Sequence, residues 1–348
     1  MTALYTDLVM WVIGPEGDSP EASGTIAPMP AMAPLVFFGT PEFAVPTLEA
    51  LSAADRTPAL VVSQPSRPAG RGHQPQLPPV ARWARERGLP LLQPERVRSP
   101  DFLAELGALR PAVAVVVAFG QIFPRELLSL PAHGCLNLHA SLLPRYRGAA
   151  PIQAVIAAGD ERTGVTVMRM EEGLDSGPIL LQAETAIGPG ETAGELAARL
   201  AALGARLMTA ALDGLERGDL AESPQDAAHA TLAPRLRRES ARAAWSLGAA
   251  ELANRLRAHT PWPGMTAELR GAPIKLLRAL PIASPAAPPA TGPAEPGTYL
   301  GLTAQGIGVV CGGGTVLAVA DLQRPGRKAQ RAADFVNGER LRPGERFS

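Results

Sequence analysis

The stretch AVAVVVAF, residues 112–119, is the most continuous apolar run in the chain, as expected for a strand covered on both faces of a sheet. Working outward, LVFFGT (35–40), ALVVS (59–63), LPLL (89–92), GCLNLH (134–139) and GVTVMRM (164–170) are further strand-like runs. Helical patterns alternate with them at Pro41–Leu51, 80–87, 100–109, Ala149–Ala158 and 190–217. The last of these carries a capping-box start, with Thr192 followed three residues on by Glu195. Regular alternation of strand and helix predicts an α/β fold built on a parallel, Rossmann-like sheet.

Beyond this region the pattern changes. Residues 221–243 turn polar and Pro-punctuated and read as a linker, and 247–258 as one more helix. Five short strands follow, at 265–270, 273–279, 297–303, 306–311 and 315–321, with Gly-rich turns between several of them. That pattern predicts a small OB-like β-barrel domain over 244–348. Six prolines in 281–296 mark a loop between barrel strands, and Cys311-Gly-Gly-Gly reads as a barrel turn. Residues 1–32 carry four acids, no base and no convincing strand, and read as a disordered or mis-assigned tail, with Met29 or Met32 as the natural start. The α/β unit is therefore expected over 33–220.

Composition narrows the function. With 348 residues the chain is long enough for two domains, and 33 basic residues balance 33 acidic ones. The balance hides a basic stretch at 64–98, with seven Arg and two Glu, and a second at 321–348, with seven bases and four acids. Such local patches suit an anionic partner. Two cysteines exclude a disulfide scaffold and a four-thiolate zinc site, and fit a reducing cytoplasm. No apolar run approaches the ~18 residues of a membrane span, and the start lacks the basic region of a secretory signal. The first strand and turn, FFGTPEF, lack the G-x-G-x-x-G of a dinucleotide site, and no P-loop, H-E-x-x-H or G-x-S-x-G is present. No metal site is legible.

Asn137 and His139 are the first candidate site residues. They lie two apart on one strand, so they share a face, near the carboxyl end where open α/β sheets bind ligands. A strand His is often only a hydrogen-bonded core residue, but two polar groups among Cys135, Leu136 and Leu138 are costly to bury without a role. SLLPRYRGAAPIQ (141–153) follows as a Pro- and Gly-held turn in which Arg145 and Arg147 flank Tyr146. Asp175 stands between glycines in EEGLDSGPIL (171–180), directly after a strand, a place where Asp is usually only a turn residue.

At these residues the chain resembles the methionyl-tRNA formyltransferase family. The likeness runs through FFGTPEFAVPTLEAL (37–51), QPSRPAGRG (64–72), AFGQIFP (118–124), GCLNLHASLLPRYRGAAPIQ (134–153), TGVTVMRMEEGLDSGPIL (163–180) and WPGMTAEL (262–269), and covers essentially 33–348. N-x-H-x-S-L-L-P with L-D-S-G resembles folate-dependent formyl transferases in general; R-Y-R-G-A-A-P-I-Q and the barrel resemble the tRNA member. The resemblance implies a formyltransferase fold and transfer of a formyl group from 10-formyltetrahydrofolate to the amino group of initiator methionyl-tRNA, with no metal, membrane or obligate protein partner. It implies Asn137 and His139 as donors to the oxyanion of a tetrahedral centre, and Asp175 as the carboxylate orienting the His or a water. Ser141, Leu142, Leu143 and Pro144 would form part of the folate pocket. Arg67 and Arg71 would reach the acceptor stem, and barrel bases such as Arg327 and Lys328 would hold the rest of the tRNA. His73 and Gln74 stand where some relatives carry lysines, which lowers the charge of that loop. Two rival readings are a formyltransferase acting on a glycinamide nucleotide or an amino sugar, and a binding module without turnover. The Arg-rich loop and the barrel speak against the first, and the joint presence of Asn137, His139 and Asp175 against the second.

Overall fold

The computed structural model describes residues 9–11, 33–69, 74–283 and 294–348. They divide into two compact units. One comprises the described residues up to Pro151 with Arg162–Ala186 and Ala197–Ala233; the other comprises Ile152–Glu161, Ile187–Leu196 and Pro234–Ser348.

The strands of the first unit are β1 (Val9–Trp11), β2 (Leu35–Gly39), β3 (Leu60–Val62), β4 (Arg67–Ala69), β5 (Gln74–Gln76), β6 (Leu91–Leu92), β7 (Val113–Val117), β8 (Cys135–His139), β9 (Arg162–Arg169) and β10 (Ile179–Ala186). Helices α1 (Val45–Ala53), α2 (Pro79–Glu86), α3 (Pro100–Ala108), α4 (Arg125–Leu128), α5 (Pro151–Ala158) and α6 (Ala193–Arg217) interleave with them or follow. Eight strands form one sheet in the order β1-β10-β9-β8-β7-β2-β3-β6. The strands from β8 to β6 are parallel, with β2 between β7 and β3. All five residues of both β2 and β7 are buried, as their unbroken apolar sequences predict. On one face Phe38 meets Phe102, Phe119 and Phe123 edge-on, at centroid separations of 6.4, 5.4 and 4.9 Å. Such pairs add to the area they bury.

Several features depart from the sequence reading. Strand β9 runs antiparallel to β8, and β10, absent from that reading, extends the antiparallel part. The run ILLQAETA mixes apolar and polar positions and follows a Gly-rich loop, so it was legible only as the continuation of that loop. The tail expected to be unfolded contributes Val9–Trp11, antiparallel to β10 in the register Val9↔Glu184. An edge strand leaves unpaired N–H and C=O groups, and an extended segment satisfies them whatever its wider pattern. The loop at 64–79 contains the two-stranded ribbon β4–β5, with Pro68 opposite Pro75. A ribbon with two open edges tolerates prolines that a central strand would not. Residues 221–233, expected within a linker, are fastened inside this unit. Ser223 exchanges two backbone hydrogen bonds with Ile179, at 2.8 and 2.9 Å, and Ala233 N–H donates to the Arg147 carbonyl at 2.7 Å.

In the second unit the capping box is present: Glu195 N–H donates to Thr192 Oγ1 at 3.4 Å, and Thr192 N–H donates to Glu195 Oε2 at 2.9 Å. The Thr192 N–H and the Thr192 hydroxyl, which donates to the same Oε2 at 2.8 Å, hold the Glu195 carboxyl below its ordinary range. The stabilisation is therefore full above the ordinary glutamate pKa and fades as pH falls through the lowered value. Thr192→Ala is expected to cost about 1 kcal/mol, read as a lowered unfolding free energy in urea titration at neutral pH.

Helix α7 (Ala249–Ala258) precedes β11 (Met265–Leu269), β12 (Ala272–Ile282), β13 (Tyr299–Thr303), β14 (Gly306–Val310), β15 (Val316–Gln323), β16 (Gln330–Arg331) and α8 (Ala332–Glu339). The antiparallel order is β11-β12-β15-β14-β13, with the short β16 on β15. Residues 346–348 then pair with both edges. Phe347 bridges Leu269, and Arg346 bridges Thr298 just before β13. Those two bridges close the sheet, which removes its open edges. Trp245, Phe335 and Phe347 sit in its core with Leu269, Ile274 and Leu317. The Pro-rich loop of 281–296 begins later than expected, since β12 continues to Ile282, and 284–293 lie outside the described residues.

Candidate active site

Strand β8 lies between β7 and β9, with Asn137 beside Val116 and Met168 and His139 beside Thr166. Cys135, Asn137 and His139 thus face one way and the buried Leu136 and Leu138 the other. Among the described residues the half-buried Asn137 amide makes no hydrogen bond, so its donors and acceptor are free for a ligand. Burial pushes the Cys135 thiol up to about 12, which favours its neutral form.

His139 is 6% exposed and held from two sides. Its Nε2 lies 2.9 Å from the Tyr146 carbonyl oxygen. A carbonyl only accepts, so Nε2 carries a proton and donates it. Its Nδ1 stands 3.6 Å from Asp175 Oδ2, an ion-pair distance rather than a direct hydrogen bond. The ring is therefore oriented by a backbone carbonyl, and Asp175 sits at the other nitrogen.

Asp175 is delivered by the loop between β9 and β10. Its φ is +47°, in the left-handed region that Asp enters more readily than most residues. Two glycines make the arrangement possible. Gly148 has φ +116°, and a Cβ there would stand 2.8 Å from the Ala233 carbonyl oxygen, while its N–H donates to Asp175 Oδ2 at 2.7 Å. A Cβ on Gly177 would fall 2.0 Å from the Arg169 carbonyl oxygen. The same Oδ2 that receives this charge-assisted backbone bond is the one that faces His139 Nδ1.

The turn after β8 is braced by its neighbours. Ser141 is fully buried, its Oγ donating to the Arg145 carbonyl at 2.7 Å. Thr166 Oγ1 donates to the Ser141 carbonyl and accepts from Leu143 N–H, while Gln182 Nε2 donates to the Leu143 carbonyl at 2.9 Å. Leu142 and Pro144 are half-buried and Leu143 is buried.

Sequence reasoning missed three side chains here. Thr231 Oγ1 accepts Tyr146 N–H at 2.8 Å. Gln225 Nε2 donates to the carbonyls of Asp175 and Gly177, at 2.8 and 2.7 Å, and Arg147 donates to Gln225 Oε1. Gln182 is the third. Gln225 and Thr231 come from the polar segment that reads as a linker, and nothing local distinguishes them from solvated residues.

Of the basic residues singled out, Arg67 is exposed on β4, with Nη2 3.5 Å from Gln64 Oε1. Arg71 and His73 lie outside the described residues, as does the side chain of Gln74. Arg327 and Lys328 are exposed in the second unit and make no ion pair among the described residues. They line a surface groove of about 690 Å³ with Arg324, which is itself paired with Glu339 and stacked over Phe335. Among the described residues no three His, Cys, Asp or Glu side chains gather as a metal site, and no helix is long and apolar enough to cross a membrane.

Comparison with known proteins gives two consecutive family matches. The formyl transferase family matches residues 33–212, and the formyl transferase C-terminal domain matches 235–340. A methionyl-tRNA formyltransferase of Anaeromyxobacter dehalogenans is 49% identical over 306 residues, covering 88% of this chain and 97% of its own. The protein of that name from Acidobacterium capsulatum is 48% identical over 90% of this chain and 99% of its own. Among solved structures, the N-formyltransferase of Helicobacter canadensis, in complex with folinic acid and dTDP-3-aminofucose, has a TM-score of 0.59 at 15% identity and covers 83% of this chain and 99% of its own. HypX of Aquifex aeolicus, in complex with tetrahydrofolic acid, has a TM-score of 0.57 at 15% identity and covers 88% of this chain and 47% of its own. At such identities these two show the fold alone, whereas the relatives matched almost end to end show that this chain belongs to the methionyl-tRNA formyltransferase family.

Proposed function

We propose that this enzyme moves the formyl group of 10-formyltetrahydrofolate to the amino group of initiator methionyl-tRNA, in the cytoplasm. The observation that carries the reading is the meeting of Asn137, His139 and Asp175 at the end of β8, in a chain matched over 88% of its length by a methionyl-tRNA formyltransferase. The folate supplies an activated formyl carbon. The residues present suit it: Asn137 offers an amide with no partner among the described residues, and the braced turn Ser141, Leu142, Leu143 and Pro144 offers a fixed wall beside it.

As the amine adds to the formyl carbon, negative charge gathers on the carbonyl oxygen. Asn137 N–H and His139 Nδ1–H are the donors proposed to meet it. Because Nε2 is committed to Tyr146, donation from Nδ1 requires the doubly protonated ring, whose charge the Asp175 carboxylate balances. The amine must lose one proton and the leaving folate nitrogen must gain one. Asp175, 3.6 Å from Nδ1 and partly open to solvent, is placed to pass that proton directly or through a water. No covalent enzyme intermediate is needed.

The test is transfer of labelled formyl from the folate to methionyl-tRNA, with free methionine and uncharged tRNA as controls. Equal labelling of free methionine would reject the tRNA reading, and labelling of an amino sugar or a glycinamide nucleotide alone would favour the small-substrate alternative.

Arg67 and Arg71 are proposed to reach the acceptor end, and Arg327 and Lys328 to hold the tRNA body through phosphates. Replacing Arg327 and Lys328 together by Ala is expected to weaken tRNA binding and to reduce the slope of log K against log salt by about 0.9 per lost phosphate contact, leaving folate affinity unchanged. Filter binding over a salt series measures it, and an unaltered slope would remove both residues from the interface.

A further inference from the structure

We infer that Gln225 is a positioning residue for formyl transfer, clamping the loop that carries Asp175 so that its carboxylate stays opposite His139. The inference rests on the roles proposed for Asp175 and His139 and adds a residue that contacts neither reacting group.

The geometry is specific to a carboxamide. Nε2 of Gln225 spends both protons on the carbonyls of Asp175 and Gly177, one residue either side of Ser176. Oε1 accepts from Arg147 Nε at 3.1 Å and from Nη2 at 2.6 Å. A guanidinium only donates, so the amide can face one way only, with its oxygen on Arg147 and its nitrogen on the loop. Glutamate would keep the Arg147 bonds but lose both donors and place a negative charge beside the Asp175 backbone. Alanine would lose everything.

The loop needs such a clamp. The Asp175 backbone is held in the left-handed region, and its carboxylate receives one backbone N–H, from Gly148. Gly148 and Arg147 belong to the same turn whose Tyr146 carbonyl orients His139. Gln225 therefore ties the Asp175 loop and the His139 turn to one frame. Its own segment is anchored at both ends, by Ser223 to Ile179 and by Ala233 to Arg147. A clamp of this kind controls the 3.6 Å separation between Nδ1 and Oδ2 without touching either atom.

The experiment compares Gln225→Ala, Gln225→Glu, Asp175→Asn and the Asp175→Asn, Gln225→Ala double variant of the full chain, in steady-state kinetics and thermal melting. A displacement of about 1 Å can cost about 10²-fold, so both Gln225 variants should lose about 10²-fold in kcat with KM for the folate unchanged. In the Asp175→Asn background the Gln225→Ala change should cost nothing further, because the group it positions is already disabled. Three results would overturn the inference: a wild-type kcat for Gln225→Glu, full multiplication of the losses in the double variant, or rate losses that vanish once measurements are made well below each variant's melting temperature. A wild-type rate for Asp175→Asn alone would instead overturn the proposed role of Asp175, and the single variant reveals it without reference to Gln225.

Discussion

Asn137→Ala is expected to lower kcat for methionyl-tRNA formylation by about 10²–10³-fold, in the range found for loss of one oxyanion donor. The expectation follows from what the side chain does not do in the free protein. Its amide is half-buried on the face of β8 that also carries His139, and it makes no hydrogen bond among the described residues. A structural Asn in such a place would have its partners within the fold, since unpaired buried polar groups are costly. Removing the amide therefore takes little from the folded state and most from the stage at which charge develops on the carbonyl oxygen. KM for the folate and for the tRNA should change little, and the melting temperature should hold. A rise in KM with kcat intact would make Asn137 a binding residue instead.

His139→Ala is expected to be slower still, by about 10²–10⁴-fold, the usual span for a positioned acid or base. Asp175→Asn should fall in the same range, and the double variant should be about as slow as the worse single one. The reason is geometric. The Tyr146 carbonyl fixes the ring from Nε2, so Nδ1 and Asp175 Oδ2 face a common space 3.6 Å across. Without the ring, the carboxylate loses the partner at Nδ1 beside which its proposed role is defined. Groups that act as a unit give losses that do not multiply. Strict multiplication of the two losses, measured with saturating folate and methionyl-tRNA, would show that the residues act in separate steps.

Much of this site is legible one residue at a time. Asn137 and His139 stand out as candidates because a strand's period of two puts them on one face, and because polar side chains interrupt an apolar strand. The capping box at Thr192 and Glu195 is equally local, since all its partners lie within one helical turn. Asp175 is harder. Its sequence neighbourhood says turn, and only the resemblance implied a catalytic role; its approach to Nδ1 depends on Gly148 accepting a left-handed conformation 27 positions earlier.

Other features depended on their surroundings more than on their own residues. Val9–Trp11 became a strand because β10 offered an open edge, a property of the sheet and not of those three residues. β10 itself sits beside β9 because the chain reverses through the Asp175 loop, which a reading of hydrophobic period cannot foresee.

What the sequence determined by itself was the layered core and the strand face that Asn137 and His139 share. Burial of continuous apolar runs such as Val113–Val117 follows from hydrophobicity alone, and alternation along Cys135–His139 follows from backbone geometry. What only the tertiary structure decided was the electrostatic frame of the site. Hydrogen bonds between distant segments, from Gln225 to the Asp175 loop and from Gly148 to the Asp175 carboxylate, need partners brought within about 3 Å. Such proximity is set by how the whole chain packs and leaves no mark on the residues that share it.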